Sequence, residues 1–238
     1  MWLTAGIGSS SLMGLGAASN DHARINAALS TSANIVLALG DSVPAGVACD
    51  CVPFPELYAR QLTPSAAAIN LAEGGYTSDD VQEQIERADT KAAIRRAGVI
   101  MLMVGANDVA LAFDDSAVAA TRVGRNVRAS VARIRAIHGG DVQVLVFGYW
   151  NVVEDGDVGR ADYTADRVNE AEAATRRTND ALRHAAEASD AVYVSTDVPF
   201  KGHDGAKDPT GLLAADGDHP NARGHQLIAR AALAALPS

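Results

Sequence analysis

Residues 35–46 read IVLALGDSVPAG, an unbroken apolar run from Ile35 to Leu39 followed by Gly40-Asp41-Ser42. An apolar run that does not alternate with polar residues marks a strand buried on both faces, and a Gly-Asp-Ser turn ends it where a helix can begin. The pattern recurs at Ala67 to Leu71, Val99 to Val104, Val142 to Phe147 and Ala191 to Ser195, with longer amphipathic stretches between. Short buried strands alternating with amphipathic helices predict a parallel sheet with crossover helices.

The intervening stretches carry helix signals. Thr77 or Ser78 caps a helix predicted over Ser78 to Arg96, with Asp79 and Asp80 in its first turn and Val81, Ile85 and Ala88 on one stripe. Asp115 to Ile137 places Val123, Val127, Val131 and Ile134 at helical spacing and stops at Gly139-Gly140. Tyr163 to Ala188 and Arg223 to Leu236 are helical by propensity. Five strands without a linker-like change of composition predict one three-layer α/β/α domain over residues 34–238. Residues 1–33 read as a leader. Its first part, Met1 to Ala18, is rich in small and apolar residues like a secretory signal but has no positively charged start, so a degenerate export signal and a plain leader both fit.

A chain of 238 residues with 48% hydrophobic and 21% charged residues has the composition of a globular domain, which excludes a disordered or coiled-coil protein. The net charge of −9 and scattered basic residues leave no footprint for nucleic acid or anionic lipid. No apolar run is long enough to predict a stable membrane span. The GIGSSS run near the start has no following lysine and is not a phosphate loop. Cys49 and Cys51 lie too close in sequence to staple distant parts of a fold: a local disulfide suits an exported protein and free thiols a cytoplasmic one. The disulfide and an extracellular location are favoured; a metal site lacks further soft ligands.

In an open sheet of this kind the ligand site lies beyond the carboxyl ends of the strands. Gly40-Asp41-Ser42 follows the first strand, Gly74-Gly75-Tyr76-Thr77 the second and Gly105-Ala106-Asn107-Asp108 the third, while Asp216-Gly217-Asp218-His219-Pro220 precedes the last helix. A serine hydroxyl needs an imidazole to take its proton and a carboxylate to orient that imidazole, and Ser42, His219 and Asp216 supply those groups. The oxyanion of acyl transfer needs hydrogen-bond donors, available from the Ser42 N–H, the Gly75 N–H and the Asn107 carboxamide.

These four blocks, in order over about residues 35 to 230, resemble the SGNH hydrolases, also called GDSL esterases and lipases. Gly40-Asp41-Ser42 matches the first block, with Val43 where leucine is usual. In Asn70-Leu71-Ala72-Glu73-Gly74-Gly75 the glycine five residues after the asparagine is Gly75, and the adjacent Gly74 leaves that assignment partly open. Gly105 to Asp108 matches the third block and Asp216 to Pro220 the last. The resemblance implies a flavodoxin-like five-stranded parallel sheet and a serine ester hydrolase that uses no cofactor or metal, with Ser42, Asp216 and His219 catalytic and Ser42, Gly75 and Asn107 in the oxyanion hole. Its partners would be small-molecule, carbohydrate or lipid esters. An acyltransferase using the same site and a non-catalytic glycan- or lipid-binding module are the alternatives.

Neighbouring residues have plainer readings. Asp218 competes with Asp216 but reads as solvated; Asn221 reads as a helix cap, and His225 as structural. His203, Asp204, Asp216, Asp218, His219 and His225 follow no metal-ligand spacing. Phe147 to Asn151 is the densest aromatic group and fits either a pocket wall or core packing. With no evident lid insertion, short acyl chains or acylated carbohydrate are favoured over interfacial lipolysis.

Overall fold

All five apolar runs are strands of one parallel sheet in a computed structural model that describes residues 35–235. They are β1 (Ile35–Gly40), β2 (Ala67–Asn70), β3 (Val99–Met103), β4 (Gln143–Phe147) and β5 (Val192–Val194), in the spatial order β2-β1-β3-β4-β5. The expected leader lies outside the described residues. Every residue of β3, and Val36 to Gly40 of β1, is buried, as continuous apolar runs require when helices cover both faces.

The helices are α1 (Ser42–Ala45), α2 (Phe54–Leu62), α3 (Ser78–Ile85), α4 (Ala88–Ile94), α5 (Ala106–Leu111), α6 (Ser116–His138), α7 (Gly156–Asp162), α8 (Ala165–Glu187), α9 (Asp197–Lys201) and α10 (Ala222–Ala234). Helices α3, α6 and α8 pack side by side as one layer, and α2 pairs with α10 in the other. The apolar stripe expected on α6 is fully buried at Val123, Val127, Val131 and Ile134. Among the described residues no helix is long and apolar enough to cross a membrane.

One predicted element is corrected. The stretch Ser78 to Arg96 is two helices, because the chain opens at Arg87 (φ −66°, ψ 147°). The flanking side chains find partners elsewhere: Glu86 binds Lys91 at 2.7 Å and Arg133 at 2.6 Å, and Arg87 reaches the Tyr76 hydroxyl at 3.1 Å. Thr77 begins α3 with a complete capping box, its hydroxyl accepting from the Asp80 N–H while the Asp80 carboxylate accepts from the Thr77 N–H.

At the end of β1, Gly40 has φ +141°, and a Cβ there would overlap the Met103 carbonyl oxygen on β3. Only glycine lets the two strands stay this close. Gly40→Ala should lower the urea unfolding free energy by about 3 kcal/mol or more, since rigid backbone has to move. Gly139→Ala, where a Cβ would meet nothing within 4 Å, should cost about 1 kcal/mol. Equal losses in the two variants would refute the packing account of Gly40.

Candidate active site

Strand order reverses between β1 and β3, whose loops leave the sheet in opposite directions and open a crevice between them. Ser42 occupies the first position of α1 on one side of that crevice, and Asn107 the first turn of α5 on the other. Asp41 fixes the Ser42 turn. Its N–H donates to Met103 O at 3.0 Å, one carboxylate oxygen accepts from the Val43 N–H at 3.1 Å, and the other accepts from the Tyr149 hydroxyl. Asp41 is 1% exposed, and that burial pushes its carboxyl up to about 7 against the lowering effect of the two hydrogen bonds.

The second and third glycine blocks are clasped by two neighbouring residues of α5. The Asn107 carboxamide donates to Tyr76 O at 2.9 Å, and Asp108 accepts from the Ser78 N–H at 2.8 Å and the Ser78 hydroxyl at 2.7 Å. Asn126 on α6 completes the network by donating to the Ser78 hydroxyl at 2.9 Å and to Asp79 at 2.7 Å. Gly75 therefore sits in a loop anchored on both sides, with φ +85° and open space where a side chain would be. A Cβ on Gly74 would lie 4.0 Å from that of Ser42, which brings this loop beside the serine. Among the described residues, neither the Ser42 nor the Gly75 N–H is spent on another backbone carbonyl.

His219 and Asp216 come from a loop held at several points. The Ala214 N–H donates to His219 O at 2.7 Å, the Asp155 N–H donates to Gly217 O at 2.8 Å, and Asn221 caps α10 as expected, accepting from Arg223 and Gly224. Asp216 accepts from the backbone N–H of both Asp218 and His219 at 3.1 Å, and its other oxygen lies 2.8 Å from His219 Nδ1. Burial raises the Asp216 carboxyl, but these hydrogen bonds outweigh it and hold the group below its usual range. With Asp216 on Nδ1, the other ring nitrogen, Nε2, is buried and has no hydrogen-bond partner among the described residues. The structure thus joins His219 to Asp216 but does not close a hydrogen bond from Ser42 to His219.

Ser42 and Asn107 line one cleft of about 290 Å³, together with Val43, Ala106, Ala110, Tyr149 to Glu154, Tyr163 and Asp218. No lysine or arginine is among these residues. Asp218 is partly solvated, as expected, with its side chain 46% exposed, and it also walls the cleft 3.8 Å from His219 Nδ1, where partial burial raises its carboxyl. Tyr149 and Trp150 serve both purposes considered for the aromatic group, lining the cleft while 1% and 2% exposed. Glu154 and Tyr163, hydrogen-bonded to each other, are cleft residues that sequence reasoning does not find, because neither belongs to a motif block.

Cys49 and Cys51 form a disulfide, and a ring nitrogen of His225 lies within 4.8 Å of the sulfurs. This group does not suit a metal ion. His225 Nδ1 accepts from the Phe54 N–H at 3.2 Å, so the neutral ring carries its proton on Nε2, and both sulfurs are bonded to each other. Burial drives the His225 pKa down to about 4.

The sequence matches the GDSL-like Lipase/Acylhydrolase family over residues 38–227. No curated protein matches it. Among solved structures, a lipase from a goat rumen metagenome aligns with TM-score 0.69 at 20% identity, covering 84% of this chain and 96% of its own. A phospholipase A1 from Streptomyces albidoflavus aligns with TM-score 0.65 at 19% identity, covering 86% and 100%. An acetylxylan esterase from Geobacillus stearothermophilus aligns with TM-score 0.62 at 18% identity, covering 84% and 93%.

Asp41 and His225 give stability opposite dependences on pH. Asp41 titrates near 7 in the fold against 3.8 normally, so its contribution is complete at low pH and is lost as pH rises through about 7. His225 titrates near 4 against 6.5 normally, so its contribution is lost as pH falls from 6.5 towards 4. Removing the Asp41 contribution should therefore make the urea midpoint of Asp41→Asn climb with pH relative to that of the wild type between about pH 4 and 7. Parallel profiles for the two proteins would show that Asp41 is not held protonated.

Proposed function

We propose, from the premise that this chain belongs to the GDSL-like lipase/acylhydrolase family, that it is a serine ester hydrolase working through an acyl-enzyme. Ester-bond hydrolysis follows from the family; the serine mechanism and the residue roles are our reading. The observation that carries it is the His219–Asp216 pair at 2.8 Å, which leaves Nε2 without a partner on a loop whose Asp218 walls the same cleft as Ser42.

Ser42 Oγ attacks the ester carbonyl carbon while His219 Nε2 takes its proton. Asp216 stabilises the imidazolium and keeps Nδ1 protonated. The carbonyl oxygen becomes an oxyanion that accepts from the Ser42 N–H, the Gly75 N–H and the free N–H of the Asn107 carboxamide. Collapse expels the alcohol, which receives the proton from His219, and a water molecule activated by the same imidazole releases the acid. The hydrogen bond between Ser42 and His219 closes when substrate is held, as catalytic contacts tighten in the Michaelis complex.

The cleft also bears on substrate charge. Asp218 and Glu154 line it with no lysine or arginine among its lining residues, so an ester carrying negative charge meets repulsion that an uncharged acyl ester or acylated sugar does not. Hydrolysis of p-nitrophenyl acetate should fall about 10⁴-fold or more in Ser42→Ala. It should fall about 10²-fold to 10³-fold in kcat for Asn107→Ala. A fluorophosphonate probe should label the wild type and not Ser42→Ala. Wild-type turnover in Ser42→Ala would overturn the mechanism.

A further inference from the structure

Beyond Ala110, Val153 and Tyr163 the cleft has a neighbour. The same three residues wall a second compartment of about 150 Å³, which Phe113, Arg167 and Ala171 complete. We propose that this compartment receives the acyl chain of the ester, so that the enzyme acts on medium-chain acyl esters in preference to acetyl esters. The inference rests on the serine mechanism above and adds a substrate class to it.

The direction follows from where the leaving group has to go. Its oxygen must lie against His219 to collect a proton, and the loop carrying Asp216 to Pro220 contributes Asp218 to the cleft but no residue to the compartment. The compartment lies instead along α5, where Ala110 stands one helical turn after the oxyanion residue Asn107. A group extending from the carbonyl carbon past Asn107 and Ala110 is the acyl group, which stays on the serine after the alcohol has left.

The walls mix hydrocarbon with polar atoms. Ala110, Val153, Ala171 and the Phe113 and Tyr163 rings are apolar surface, and the single charge, Arg167, is already engaged. Its guanidinium lies 3.8 Å from the Phe113 ring centroid and is paired with Asp114 at 3.2 Å and Glu170 at 3.0 Å. It therefore offers its flat face and methylene stem. A space of this size, open to solvent on one side, holds about six carbon atoms. The Tyr163 ring is held in the shared wall by its hydroxyl, which donates to Glu154.

The test compares kcat/KM for p-nitrophenyl acetate, butyrate, hexanoate, decanoate and palmitate. The wild type should gain about fourfold per methylene up to about hexanoate and lose the gain beyond it. Ala110→Phe, made at an exposed position, should lower the hexanoate-to-acetate ratio at least about tenfold by filling the compartment. Tyr163→Ala should move the maximum towards decanoate. A wild-type ratio at or below unity, or a ratio that neither variant moves, would overturn the inference while leaving the serine mechanism standing. Calorimetry on Ser42→Ala separates the two ideas without turnover: hexanamide should bind more tightly than acetamide and lose that advantage when Ala110→Phe is added, and equal binding of the two amides would overturn the compartment on its own.

Discussion

The close approach of β1 and β3 at Gly40 sets the position of everything at the carboxyl end of the sheet. The missing side chain lets the Met103 carbonyl lie against Gly40 and accept from the next residue's N–H at 3.0 Å. The Gly40 carbonyl in turn accepts from the Glu73 N–H at 3.0 Å, which draws the loop bearing Gly74 and Gly75 to the same spot. One residue without a Cβ thus holds three strand ends together, and Ser42, two residues on, is delivered beside the loops that carry Gly74-Gly75 and Asn107. Strand order β2-β1-β3 makes this possible, since it places the central strand between the two whose loops it must meet.

Polar groups buried around this point do the fine positioning. Asp41, Asp108 and His225 are each 1% exposed or less, and each accepts a hydrogen bond from a backbone N–H that begins a helix: Val43 of α1, Ser78 of α3 and Phe54 of α2. A buried acceptor of this kind is costly to leave unpaired, so Asp108 and His225 tie their helix starts to distant parts of the chain, while Asp41 caps its own helix and reaches a distant part through Tyr149. Asp108 and Asn107, adjacent on α5, clasp the neighbouring loop together, one accepting from Ser78 and the other donating to the Tyr76 carbonyl.

The strands were readable because buried parallel strands are continuous apolar runs, and all five were placed to within about a residue at each end. The four motif blocks were readable because each ends a strand or precedes a helix, where local chemistry is concentrated. The break at Arg87 was not, since it depends on Arg133 from another helix and on Tyr76. The cleft positions of Glu154, Tyr163 and Asp218 are hidden for a related reason: they come from how the loops after β4 and before α10 pack together. Periodicity reports on elements, whereas cleft walls belong to the spaces between them.

The disulfide between Cys49 and Cys51 encloses a single residue. A bridge stabilises a protein chiefly by shrinking the freedom of the unfolded chain, and that effect vanishes as the enclosed loop shortens. Its influence is therefore local, reaching the corner between α1 and α2, where Gly46 packs on Pro53, and the His225 ring of α10 beside it. Thiol reductants act there alone, and the endurance of the domain in reducing or oxidising surroundings belongs to its apolar core.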